Sequence, residues 1–199
     1  KGANGISGGK EYTIQAGGGI CQVSTTLYNA LLCANMEIVD RRAHTIPSDY
    51  VPVGLDATVD TRGIDFVWKN NTDMPAYIFA KVENVEGSSS RHTITVYVYG
   101  KPLPEGVTYQ SRNEIIEERS RQDEAIYTND ASIPTGYQLE RVQGHKYYVA
   151  EAYQDKYVDG KLAESKLLYT DKYKGNPPEV SIGTGAPLAS GQTPDPAWQ

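Results

Sequence analysis

The sequence predicts an α+β fold: a helix packed on an antiparallel β-meander, followed by a small elongated all-β module. Three observations predict it. Val23, Leu27, Ala30, Leu31 and Ala34 recur at helical spacing near the start of the chain. Alternating branched and aromatic runs follow, above all Thr93-Ile94-Thr95-Val96-Tyr97-Val98-Tyr99. A proline- and glycine-rich break, Gly100 to Gly106, then precedes a second set of strand-like runs.

Taken in order, residues 1–16 read as short strand and turn pieces, with Ser7-Gly8-Gly9-Lys10 as a turn. Residues 21–35 read as the helix, and Asn35 is a plausible stop, because asparagine tolerates the left-handed conformation in which helices often end. Ile38 to His44 leads into a loop punctuated by Pro47, Pro52 and Gly54. The meander is expected from Asp65–Lys69, the turn Asn70–Asp73, Ala76–Val82, the connection Gly87–Ser90, and Thr93–Tyr99. Past the break, the charged segment Arg112–Asp123 fits a solvated strand or helix equally. Ile133-Pro134-Thr135-Gly136 leads on to a long hairpin of His145–Val158 and Leu162–Tyr173, turning at Asp159-Gly160-Lys161. Residues beyond Gly183 are rich in Pro, Gly, Ser and Thr and read as linker or disordered. The domains expected are therefore 1–102, 105–184, and a tail over 185–199.

Composition narrows the function. The chain has 199 residues and a formal net charge of −6, with a mean hydropathy of −0.52. An acidic, polar chain without a basic run is a poor partner for nucleic acid or anionic lipid. No apolar stretch reaches the roughly 18 residues of a membrane span. The chain opens on Lys1-Gly2-Ala3 without an initiator methionine and reads as an interior piece, so a missing leader carries no information. Tyrosine is abundant, 15 against 2 phenylalanines. Amphipathic strands in a thin sheet account for that, and so does a surface that stacks carbohydrate or peptide.

The chemistry centres on Gly17-Gly18-Gly19-Ile20-Cys21-Gln22. Three glycines deliver a cysteine to a helix start, where unpaired N–H groups and the helix dipole favour a thiolate. Such a cysteine can attack a carbonyl with backbone donors beside it for the oxyanion. A buried structural cysteine is the plainer reading, and Cys33, in Leu31-Leu32-Cys33-Ala34, is read as core. The two thiols would stand about 18 Å apart along one helix, too far for a disulfide.

His44 either returns to the helix start as the base that takes the thiol proton, or is a surface loop histidine. Asp56 either orients that histidine or caps a turn. Arg42, beside Arg41, is a candidate fork for a substrate carboxylate, with solvated charge as the alternative. Gly19, Gln22, Ser24 and Thr25 are the remaining substrate-contact candidates, and Ser24 and Thr25 serve equally as helix caps. No spacing suits a zinc site, and no Gly-Lys-Ser/Thr follows the glycines as in a phosphate loop. No cofactor is expected.

These residues carry a resemblance. Gly17 through Ala30, Glu37 through His44, Asp49-Tyr50-Val51-Pro52-Val53-Gly54-Leu55-Asp56-Ala57-Thr58-Val59, the Asn70-Asn71-Thr72 turn and the strand ending Tyr99-Gly100 resemble the VanW domain family, over about residues 1–102. The family's usual N-terminal portion is expected to be missing. Residues 105–184 more loosely resemble a G5 domain, in Ile133-Pro134-Thr135-Gly136, the Tyr157–Lys161 turn and Ile182-Gly183-Thr184.

The resemblance implies an extracytoplasmic bacterial cell-wall protein. Any membrane anchor would lie in the missing N-terminal segment. It implies a peptidoglycan L,D-transpeptidase in which Cys21 forms a thioester with a tetrapeptide stem, His44 is base and acid, and Asp56 orients. Stem peptides, and glycan strands through the G5-like module, are the implied partners. A non-catalytic wall-binding protein linked to glycopeptide resistance is the alternative. Hydrolysis of the stem by the same residues is a third.

Overall fold

The computed structural model describes residues 3–7, 11–15, 18–88 and 92–199. The expected Ser7–Lys10 turn, Gly17 and the end of the Gly87–Ser90 connection therefore lie wholly or partly outside the described residues. Strands β1 (Ala3–Ser7) and β2 (Glu11–Gln15) form an antiparallel pair. Helix α1 (Ile20–Cys33) follows, then β3 (Glu37–Asp40), β4 (Val67–Lys69), β5 (Tyr77–Asn84) and β6 (His92–Tyr99).

Helix α1 ends as Asn35 predicts. Asn35 takes φ 54°, and the N–H of Met36 returns to the Leu31 carbonyl at 3.0 Å. The buried face, however, is not the one expected. Ser24, Thr25, Tyr28, Leu31 and Leu32 are buried, whereas Val23 is 45% exposed. Hydroxyls at the start of that face bond the 55–57 segment, and this rotates the helix away from its purely apolar stripe. Cys33, read from sequence as core, is exposed. It lies about 100° around the helix from Leu32, off the buried face.

In place of one continuous meander the chain forms two separate ladders, β3 with β4 and β5 with β6. Asn70 and Thr72 build a side-chain-bonded turn. Thr72 N–H and Oγ1 both donate to Asn70 Oδ1, at 3.0 and 2.7 Å, and carry the chain away from β4.

The second half contains β7 (Val107–Arg119), β8 (Ile126–Pro134), β9 (Gln138–Val142), β10 (Tyr147–Val158), β11 (Lys161–Tyr173) and β12 (Glu179–Gly185). Of the charged segment that fitted either state, most is strand: β7 runs to Arg119. The long hairpin forms close to the expected bounds, with Asp159 and Gly160 both at positive φ in its turn. Strands β11-β10-β7 make one antiparallel sheet, and β8-β12-β9 a second in which β12 runs parallel to β8. Beyond Gly185 no regular element follows. The end of the chain folds back on β9 instead, where Gln199 N–H donates to the Gln138 carbonyl at 2.9 Å and the Trp198 and Tyr137 rings lie 5.8 Å apart.

The core joins the two halves. Tyr28, Leu32 and Ala57 form a buried cluster, with Ile38, Phe66, Leu168 and Tyr169 packed against it. Leu168 and Tyr169 belong to β11. Gln154, from β10, donates to the Leu32 carbonyl at 2.7 Å and so satisfies a helix-end acceptor. Asn113, from β7, donates to the Val53 carbonyl at 3.0 Å. The boundary expected near residue 105 is thus crossed by apolar packing and by buried hydrogen bonds. Among the described residues, no helix is long and apolar enough to cross a membrane.

Candidate active site

Gly19 opens α1. It sits at φ 89°, where a β-carbon is strained, and no side chain caps the helix start. The N–H groups of Gln22 and Val23 donate to the Gly19 carbonyl, at 3.1 and 3.3 Å. The Gln22 N–H is therefore committed within the helix start and is not free to meet an oxyanion.

From Arg41 to Asp60 the chain has no regular element, and side chains determine its path. Ser24 Oγ donates to the Ala57 carbonyl at 2.6 Å, and Ala57 N–H donates to Thr25 Oγ1 at 2.9 Å. Ser24 and Thr25 thus clamp the loop to the first turn of the helix instead of capping it. The clamp brings Asp56 toward the Cys21 end of α1.

There the structure brings Cys21, His44 and Asp56 together. The imidazole Nδ1 of His44 bonds Asp56 Oδ2, and the His44 backbone N–H donates to the same oxygen at 2.7 Å. With Nδ1 engaged, Nε2 is the nitrogen left for Cys21, whose thiol hydrogen-bonds the ring. The sulfur also lies 3.3 Å from the Val59 carbonyl oxygen. His44 is 7% exposed and Asp56 1%, whereas Cys21 is half-buried.

The charges follow from this geometry. Burial opposes ionisation of Cys21, but the neighbouring His44 outweighs it and holds the thiol below its ordinary range. Burial works against a charged His44 as well. Its bonds to Asp56 and Cys21 prevail and raise it to about 9. Asp56 is held low despite burial, by His44 and by the Arg41 guanidinium. The lowered thiol and the raised imidazole both favour a thiolate–imidazolium pair beside a buried carboxylate, the state of an attacking cysteine.

Arg41, buried where Arg42 is exposed, braces the carboxylate. Its Nε donates to the Asp56 carbonyl at 2.5 Å, and one terminal nitrogen to Asp56 Oδ1 at 3.0 Å. The other terminal nitrogen donates to Asp171 Oδ2 at 2.5 Å. The rings of Tyr28 and Tyr169 flank the guanidinium, at 5.4 and 5.1 Å. The Tyr173 hydroxyl donates to Asp56 Oδ1. Sequence reading noted the arginine pair but favoured Arg42. It missed Tyr173 and Asp171 altogether, since nothing local marks two strand residues so distant in the chain.

Two open clefts lie along the start of α1, and Cys21 and His44 line neither. One, about 490 Å³, is lined by Gln22, Thr25, Asn29, Tyr50, Ile94 and Ser111 among others. The other, about 300 Å³, is lined by Gly19, Ile20, Gln22, Val23 and Val82 among others. Gly19, Gln22 and Thr25 thus face the clefts. Ser24 is buried in the clamp, and Arg42 lines neither cleft. Among the described residues no group of three or more His, Cys, Asp or Glu side chains is placed to hold a metal ion.

Fold and site define an α+β protein with a half-buried cysteine–histidine–aspartate row at a helix N-terminus. Residues 1–95 match the family described as VanW like protein. The chain is similar to the uncharacterized protein YoaR of Bacillus subtilis (strain 168). The two are 52% identical over 65 residues, which cover 33% of this chain and 22% of that protein. It is also similar to the vancomycin B-type resistance protein VanW of Enterococcus faecalis (strain ATCC 700802 / V583). That match is 26% identical over 174 residues, covering 85% of this chain and 53% of that protein. The chain thus spans between about a fifth and a half of the length of these relatives.

Two solved G5 structures resemble part of the chain. The G5 domain of an IgA1 protease covers 41% of it at 16% identity and a TM-score of 0.26. The HP0197 G5 structure covers 39% at 26% identity and a TM-score of 0.22.

Proposed function

We propose that this chain carries the catalytic row of a cysteine acyltransferase that acts on peptidoglycan stem peptides at the bacterial cell wall, outside the cytoplasm. The observation that carries the reading is the hydrogen-bonded Cys21–His44–Asp56 row at an uncapped helix start. In this reading the Cys21 thiolate attacks the carbonyl carbon of the third residue of a tetrapeptide stem. The tetrahedral oxyanion is met by backbone N–H of the first helical turn. The imidazolium gives its proton to the departing amine, and D-alanine leaves as a thioester forms. An acceptor amine then loses a proton to His44 and attacks the thioester, and the Cys21 thiolate is restored. Asp56 holds the imidazole and balances its charge. Water as acceptor would make the same residues a hydrolase.

A second reading, a non-catalytic wall-binding protein, is favoured by one observation. Tyr77, Phe79, Tyr97 and Tyr99 stand exposed on one face of the β5–β6 ladder, with Tyr77 paired to Tyr99 and Phe79 to Tyr97. Such a row suits stacking on sugar or peptide.

The test is mass spectrometry of disaccharide-tetrapeptides incubated with the full-length protein and with its Cys21→Ala variant. A cross-linked dimer with loss of D-alanine, absent in the variant, is the result expected. Tripeptide without dimer would assign a hydrolase. No Cys21-dependent product would leave the aromatic row and wall binding as the function.

A further inference from the structure

We infer that Tyr173, supported by Asp171, is a positioning residue for the Cys21–His44 pair, so that strand β11 of the second half is a working wall of the site. This rests on the reading of Cys21 and His44 as the reacting pair.

The hydrogen-bond arithmetic leaves little freedom. Tyr173 is fully buried. Its hydroxyl accepts the Gly54 N–H at 2.9 Å. An N–H can only donate, so the single hydroxyl proton is free to point at Asp56 Oδ1, as it does. Gly54 itself sits at φ +94°, and a β-carbon there would come within 3.3 Å of the Ala150 methyl. The backbone can lie this close to the sheet because the residue is glycine. The two carboxylate oxygens are thereby divided. Oδ1 faces Tyr173 and Arg41, and Oδ2 is left for the two His44 nitrogens. A carboxylate bonded this way does not rotate, and His44 is aimed by it.

The strand supplies this support from one face. Tyr169, Asp171 and Tyr173 alternate along β11, and alternate residues share a face. Tyr169 stacks on the Arg41 guanidinium, Asp171 ion-pairs with it, and Tyr173 bonds Asp56. Their ladder partners in β10 include Ala152 and Ala150, both fully buried and small enough to let α1 and the loop approach. The titratable groups facing Asp56 are His44 and Arg41 from its own segment, Cys21 and Tyr28 from α1, Tyr50 from the loop, and Asp171 and Tyr173 from β11.

The test is the pH profile of Cys21 alkylation by iodoacetamide in the full chain, read by peptide mass spectrometry. Compared are the unmodified chain, Tyr173→Phe, Asp171→Asn, and the control Tyr157→Phe at the turn end of the same hairpin. Tyr173→Phe keeps the ring and removes only the hydroxyl. Its alkylation midpoint is expected to rise by about one pH unit, or about tenfold less thiolate at a fixed lower pH, with an unchanged rate on the alkaline plateau. A merely structural hydroxyl would shift the melting temperature and leave the midpoint in place.

A Tyr173→Phe profile that superimposes on that of the unmodified chain overturns the assignment. Should that variant fail to fold, an unmoved Asp171→Asn profile does the same. An ordinary thiol profile in the unmodified chain would strike at the Cys21–His44 pairing itself, and with it at both readings.

Discussion

Arg41 and Asp171, 130 residues apart in sequence, form a 2.5 Å ion pair in which the arginine side chain has no solvent exposure. The guanidinium reaches Asp56 at the same time. One cation therefore serves two carboxylates, one from each half of the chain. Breaking a buried pair by removing one partner leaves the others charged and uncompensated. Arg41→Met is expected to lower unfolding free energy by about 3–5 kcal/mol. The exposed neighbour should matter little, with Arg42→Ala within about 0.5 kcal/mol of the unmodified chain. Urea unfolding of the two variants checks this, and equal costs would contradict the structure.

The two cysteines should differ in reactivity. His44 lowers the Cys21 thiol against the effect of burial. Cys33 is exposed as a residue, but partial burial of its thiol beside β7 pushes its pKa up. At pH 7 limiting iodoacetamide is expected to label Cys21 first, by about tenfold or more, because the thiolate is the reacting form. Peptide mapping by mass spectrometry reads the ratio. His44→Ala should erase most of the preference.

Stability against pH carries a signature of the pair. His44 is raised from 6.5 to about 9, so its contribution is full below 6.5 and is lost as pH rises through about 9. Cys21 is lowered from 9.0, so its contribution is full above 9.0 and is lost as pH falls through its folded value. Between those limits the two slopes oppose one another, and the unmodified chain is expected to show little pH dependence from this site. In Cys21→Ala the opposing slope is gone, and a smaller histidine slope remains, because Asp56 still raises His44 while the Cys21 bond no longer does. The variant's urea midpoint should fall relative to the unmodified chain as pH rises above 6.5. Asp56 supplies the acid limb. Its depressed pKa adds stability above 3.8 that is lost as pH falls through the folded value. Parallel pH curves for the two chains would refute the coupling.

Tyr28 offers a test of the opposite sign. Its ring meets Phe66 edge-on at 5.8 Å and lies over Arg41. Its buried hydroxyl has no hydrogen-bond partner among the described residues. An unsatisfied buried polar group costs about 1–3 kcal/mol. Tyr28→Phe keeps both ring contacts and is expected to be neutral or to stabilise by about 1 kcal/mol. A loss above about 1 kcal/mol would mean that the hydroxyl is in fact satisfied.

The sequence by itself determined the local devices. The glycine run announced the helix start, Asn35 its end, and Asp159-Gly160 the tight turn of the long hairpin. Each is a demand that a residue type places on its own backbone, so it can be read without neighbours. The sequence also singled out Cys21, His44 and Asp56 as a candidate row, because their residue types suit one chemistry.

Tertiary structure decided the rest. The buried face of α1 turned on the Ser24 and Thr25 bonds to a loop some thirty residues away, which apolar periodicity does not register. The expected meander became two ladders because pairing is a choice among distant partners. The preference for Arg41 over Arg42 as the buried cation, and the roles of Asp171 and Tyr173, rest on where β11 lands against the loop. Those contacts form only when both halves of the chain close on one core, and no residue type encodes its partner at that separation.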